Sequence, residues 1–191
     1  VTLQSGFGKA TSSGDLTLYT SNAGNSGVSG RLSFFSGTTS SGTSGSVTLE
    51  TGAATGGKGG DIAARVGSGD TLAGGSISIV AGETTANNVA GGSISITAGL
   101  GQSTTGGKGG ALDLAAGMGS GKSGGSVTIQ SGYGDATSSG DLTFYTSNAG
   151  NSGVSGRLSF FSGTSSSGTT GSMTLETGAA TGGKGGDVVV A

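Results

Sequence analysis

The sequence predicts an all-β fold: a parallel β-solenoid in which each coil is one strand-turn unit of about 15 residues. Three observations predict it. Short strings of alternating polar and apolar residues recur at nearly constant spacing, a longer and almost exact repeat is superimposed on them, and glycine punctuates every string while proline is absent. Periods of this length are the signature of stacked repeats rather than of a globular core.

The short strings read GDLTLYTS, GRLSFFSG, GSVTLETG, GDIAARVG, GSISIVAG, GSISITAG, GALDLAAG and GSVTIQSG. They open at Gly14, Gly30, Gly45, Gly60, Gly75, Gly92, Gly110 and Gly125, and the series restarts at Gly140, Gly156, Gly171 and Gly186. Counted from the residue after the opening glycine, the second and fourth positions are large and apolar, as in Leu16 and Leu18, Leu32 and Phe34, Val47 and Leu49, or Ile77 and Ile79. The sixth is small, as in Thr51, Ala81, Ala98 and Ala116. Alternation with period two is the pattern of a strand buried on one face, and no helical period competes with it. A closing glycine follows in most strings (Gly37, Gly52, Gly67, Gly82, Gly99, Gly117), where a positive φ is expected. A Gly/Ser/Thr loop then leads to the next string.

Residues 1–65 align without a gap to residues 127–191, and 54 of the 65 positions are identical. Eight units make this 126-residue super-repeat, so the sequence predicts one continuous solenoid segment over residues 1–191. Such register separates the chain from a flexible Gly/Ser linker, which has no physical need for it.

The outward columns favour one unit per coil, with two units per coil as the alternative. One unit per coil places Asp15 beside Arg31, Glu50 beside Arg65 and Asp141 beside Arg157 as stacking ion pairs. It also sets Tyr19 on Phe35, Tyr145 on Phe161 and, on the inner side, Phe144 on Phe160. Each coil then advances roughly 4.8 Å and the super-repeat about 38 Å. Neither end shows a recognisable cap, so the chain reads as a segment of a longer array.

Composition excludes several chemistries. Without histidine or cysteine there is no zinc finger, no Ser/His or Cys/His nucleophile system and no disulfide framework. Eight Lys plus Arg against ten Asp plus Glu give a net charge of -2 and no electrostatic footprint for nucleic acid. No apolar run approaches the twenty or so residues of a membrane span. Asp113 lacks a carboxylate or arginine partner in the adjacent columns, so paired-carboxylate glycoside hydrolysis is not expected and the chain reads as a non-enzyme. A Ser/Thr column for ice binding is interrupted by Ala63 and Asp113.

Two motifs carry a resemblance. GGKGGD, at Gly56 to Asp61 and again at Gly182 to Asp187, resembles the GGxGxD calcium-binding nonapeptide of RTX-type β-rolls, which makes Asp61 and Asp187 weak calcium candidates. Those repeats are tandem at nine residues and these are not, so a tight turn followed by a strand-opening Asp is the preferred reading and no cofactor is expected. Strings such as GSVTLETGAATGGKGGD and GGSISIVAGETT resemble the long Gly/Ser/Thr-rich repeat proteins predicted from diatoms and related algae, and more broadly extracellular β-solenoid fibre and adhesin proteins. That resemblance implies an extracellular or cell-surface location and a structural role, the shaft of a filament or surface appendage.

The expected partner is therefore the chain itself, end to end or side by side. Tyr19, Phe35, Tyr145 and Phe161 are the candidate lateral contacts, outward aromatic pairs that recur every 126 residues. The alternative is a binding module that displays a face to glycan, mineral or ice.

Overall fold

A computed structural model describes residues 1–190. It corrects the predicted fold class: the described residues contain no α-helix and no β-strand, so there is no sheet and no solenoid, with either one or two units per coil. The chain falls into two units, Val1–Ser95 and Ile96–Ala191. Within each, what recurs is a junction between one string and the next.

The first link in that junction is steric. Every opening glycine lies against the sixth residue of the preceding string. A Cβ built on Gly30 would sit 3.2 Å from the Thr20 Cβ, one on Gly60 3.3 Å from the Thr51 Cβ, and one on Gly125 3.4 Å from the Ala116 Cβ. Real Cβ contacts are rarely so short, so at these junctions glycine at the opening position and a small residue at the sixth are two sides of one close approach; at Gly14, Gly45, Gly140, Gly171 and Gly186 the contact is an ordinary 3.6–3.9 Å, and at Gly75 a Cβ would meet the Val66 side chain. The sixth residue is in consequence among the few that are partly covered, as at Ser5, Thr20, Ser36, Ala81, Ala98, Ser131 and Thr146.

The second link, at many of the junctions, is a hydrogen bond whose type goes with the sixth residue. At three of the four strings in which that residue is threonine, its Oγ1 donates to the carbonyl of the next opening glycine: Thr20 to Gly30 at 3.0 Å, Thr51 to Gly60 at 3.1 Å, Thr146 to Gly156 at 3.0 Å. Where it is alanine, the opening glycine N–H donates to the closing glycine carbonyl instead: Gly92 to Gly82 at 2.8 Å, Gly110 to Gly99 and Gly125 to Gly117 at 2.9 Å. Ser5 and Ser131 accompany the same backbone closure, Gly14 to Gly6 and Gly140 to Gly132, both at 3.0 Å.

Why no ladder grows from these junctions follows from what lies across from the apolar columns. A solenoid needs a second wall to cover the side chains that point inward, and a coil with one strand has only its loop to supply it. The loops are Gly/Ser/Thr stretches such as TTSSGTS at 38–44, and their occasional large residues, Leu72, Leu100 and Met118, stay exposed. No residue among those described is buried. The hydrophobic gain that would offset fixing so glycine-rich a backbone is therefore missing within one chain.

The loops themselves fall where the sequence places them. Bends recur once between successive strings, at 25–27, 40–42, 55–57 and 70–72 for example. Positive φ is found in these bends, at Gly42 and at its counterpart Gly168 in the second copy, and not at the closing glycines where it is expected from sequence. Five closing glycines, Gly6, Gly82, Gly99, Gly117 and Gly132, serve instead as hydrogen-bond acceptors.

Candidate assembly surface

The junctions set consecutive strings beside one another, and the apolar columns come with them. In the second unit Phe144 and Phe160, fourth-position residues of neighbouring strings, meet edge to face with ring centroids 6.4 Å apart and planes at 78°. Parallel stacking pairs the same two residues, but the ladder it assumes is absent, and the end of one string, at Thr146, lies against the start of the next, at Gly156. T-shaped contact places the positive ring edge over the negative face, the favoured aromatic geometry.

Beyond Phe160 the next string leaves a gap. A groove of about 410 Å³ is lined by Phe160, Met173, Thr174 and Leu175. A second hollow, of about 350 Å³, lies against Ser159, Phe160, Phe161, Ser162, Ser172 and Met173. The groove is therefore walled by the fourth-position Phe160 of one string and the second-, third- and fourth-position residues of the next.

Exposure preserves the alternation that sequence predicts, although no face is buried. Phe34 is 68% exposed and Phe35 84%; Phe160 is 63% exposed and Phe161 85%. Neighbouring strings thus shade the even columns and leave the odd ones open. Tyr19, Phe35, Tyr145 and Phe161, the lateral-contact candidates, are all among the exposed residues and project freely.

The charged candidates are arranged differently from the stacking expectation. Among the described residues no ion pair joins Asp15 to Arg31, Glu50 to Arg65 or Asp141 to Arg157. The pairs formed are local, within the repeated GGKGGD motif. Lys58 Nζ donates to Asp61 Oδ1 at 2.7 Å and to Oδ2 at 2.8 Å, and Lys184 Nζ donates to Asp187 Oδ2 at 3.0 Å. The glycines flanking each lysine let the chain turn tightly enough to bring residues three apart together. Gly56, in the first copy, has a φ of 82°.

An ammonium thus occupies the carboxylate of each calcium candidate. Among the described residues no three acidic side chains converge on a point that a cation could share, whereas calcium takes six to eight oxygens. Asp113 is exposed and joins no ion pair among those formed. No helix of the described residues is long and apolar enough to cross a membrane.

Sequence reasoning named Phe160 as an inner stacking residue but gave Met173 and Leu175 no part in a surface. The signal available was charge. Between Arg157 and Glu176 the eighteen residues 158–175 carry no charge at all, and the same holds between Arg31 and Glu50 in the first copy. Comparison with family models, with curated proteins and with solved structures gives no match.

Proposed function

We propose that this chain is a structural repeat protein, a segment of the shaft of an extracellular filament or surface appendage that works by associating with further copies of itself. One observation carries the reading: the large apolar side chains recur at regular spacing in the sequence and none is buried. The chain exposes 18739 Å². A compact protein of its mass, 17.6 kDa, exposes about 7,900 Å².

Regular spacing without burial has a direct energetic meaning. Each fully buried Leu, Ile, Phe or Met side chain contributes roughly 1.5–3 kcal/mol relative to its exposed state, and here that contribution is left unrealised within one chain. Identical repeats on another chain offer the complementary column at matching spacing. The low charge content, 9% of residues, leaves little electrostatic repulsion to oppose such contact. The extracellular or cell-surface placement follows the resemblance to Gly/Ser/Thr-rich fibre proteins.

Sedimentation velocity over a hundredfold concentration range, with negative-stain electron microscopy of the densest sample, tests the reading. Concentration-dependent growth into elongated particles is expected. A monodisperse monomer at every concentration overturns it, and binding of glycan, mineral or ice by that monomer would establish the alternative role of a binding module.

A further inference from the structure

We propose that Asn25 and Asn151 are self-modification sites, at which the backbone nitrogen of the following serine attacks the side-chain amide and turns a neutral asparagine into a carboxylate. The reaction needs only water and hydroxide. It is independent of the self-association reading above.

The chemistry sets three requirements: an exposed side-chain amide, a following backbone N–H that is not engaged, and a following side chain small enough to admit the ring. All three meet in the loop SNAGNSG, at 21–27 and again at 147–153. Asn151 and Ser152 are exposed and are the two central residues of a turn, closed by Gly153 N–H donating to the Gly150 carbonyl at 3.3 Å. Such a turn engages the N–H of its fourth residue and leaves that of its third free. Among the described residues the Ser152 N–H enters no hydrogen bond, and neither does that of Ser26, in the exposed bend at 25–27 of the first copy.

The chain has six asparagines, and the other four are less well placed. Asn88 precedes Val89, whose β-branched side chain is stiff and crowds the attacking nitrogen. Asn87 precedes Asn88, which is larger than serine and is fixed at a φ of 60°. Asn22 and Asn148 lie outside the bend and precede alanine, which lacks the hydroxyl that draws electron density from the nitrogen.

The steps balance without an oxidant or reductant. Hydroxide takes the Ser152 amide proton, and the nitrogen adds to Asn151 Cγ. The bond from Cγ to the side-chain nitrogen breaks, ammonia leaves with a proton from water, and a cyclic imide is formed. Water then opens the ring. Cleavage at Cγ restores the backbone with an aspartate, and cleavage at the main-chain carbonyl leaves an isoaspartate.

Each event adds one negative charge to a net charge of -2, within a stretch, 16–30 or 142–156, that otherwise carries none. The loop that receives it is closed by Thr20 to Gly30 in one copy and by Thr146 to Gly156 in the other. Charge therefore accumulates with age inside two equivalent junctions.

In the test, the full chain is held in mild alkali in water enriched in heavy oxygen, and is sampled over days. Cleavage after Lys and Arg yields one peptide with Asn22 and Asn25 and another with Asn148 and Asn151; fragmentation by mass spectrometry then assigns the label within each pair. Asn25 and Asn151 are expected to take up label at least tenfold faster than Asn88, and faster than Asn22 and Asn148. Ser26→Val with Ser152→Val should slow both sites at least tenfold. Ser26→Gly with Ser152→Gly, in the same exposed bends, should speed them. Uptake at Asn25 and Asn151 no faster than at Asn88, or unchanged in the valine variant, overturns the proposal, and so does a glycine variant slower than wild type.

Discussion

Thr51 and Gly60 are tied by one hydrogen bond, Oγ1 to carbonyl oxygen at 3.1 Å, and the bond decides how that string meets the next. After Ala81 the same meeting is made by backbone alone, Gly92 N–H to the Gly82 carbonyl at 2.8 Å. At these two junctions a threonine and an alanine in the sixth position go with two different closures of the same loop.

Replacing Thr51 with Ala should switch the closure. The Gly60 N–H is expected to engage the Gly52 carbonyl, as its counterparts do after Ala81, Ala98 and Ala116, and the net stability change should stay within about 1 kcal/mol because one hydrogen bond is exchanged for another. The temperature coefficient of the Gly60 amide proton reads this directly. A coefficient unchanged from wild type would show that the sixth residue does not make the choice.

The opening glycine Gly92 should be intolerant of substitution where the closing Gly82 is not. A Cβ on Gly92 would meet Gly82 N at 3.2 Å and the Gly82 carbonyl oxygen at 3.3 Å, while one on Gly82 finds nothing within 4 Å. Gly92→Ala is expected to break the junction, losing about 0.5–1.5 kcal/mol of local closure with its hydrogen bond. Gly82→Ala should preserve it. Nuclear Overhauser contacts between residue 92 and Ala81 distinguish the two; contacts surviving in Gly92→Ala would contradict the steric account.

These junctions also explain what the sequence revealed and what it concealed. The strings, their loops and the small sixth residue were legible because each is written in one stretch of chain. Phe144 beside Phe160 was legible too, since both occupy the fourth position of consecutive strings. The absence of a ladder was not. It depends on whether something lies opposite Leu142, Phe144 and Leu158, and loops such as TSSSGTT at 164–170 supply no apolar wall. Periodicity along an axis says nothing about the space across it. The ionic arrangement was concealed for a similar reason: column arithmetic pairs Asp15 with Arg31, whereas a flexible glycine-flanked lysine finds its own neighbour three residues away at far smaller entropic cost.

The aromatic contact should be transferable between copies. Position 18 is leucine where its counterpart 144 is phenylalanine, and Phe34 corresponds to Phe160. Leu18→Phe is expected to create an edge-to-face pair with Phe34, visible as an upfield shift of Phe34 ring protons. The gain should not exceed about 1 kcal/mol, because such pairs contribute ~0.5–1.5 kcal/mol and both rings remain largely exposed. An unshifted Phe34 would mean that the first copy does not set its strings at the same distance.

The GGKGGD motif should be indifferent to calcium. Lys58 Nζ lies within hydrogen-bonding distance of both carboxylate oxygens of Asp61, and the pair repeats at Lys184 and Asp187. A calcium ion would have to displace the ammonium and would then find one carboxylate where it requires six to eight oxygens. Millimolar calcium, or EDTA, is expected to leave the Asp61 and Asp187 resonances unmoved; a saturable shift at micromolar calcium would overturn this. The ion pair itself is mostly solvent-exposed, with side chains at 79% and 75%, so it stabilises the turn by at most about 1 kcal/mol. Lys58→Ala should accordingly perturb only the turn itself, and 1 M salt, where the screening length is about 3 Å, should shrink the difference between variant and wild type. Amide chemical shifts of residues 56–61 at low and high salt make the comparison, and changes spreading beyond these residues would assign the motif a structural role beyond its turn.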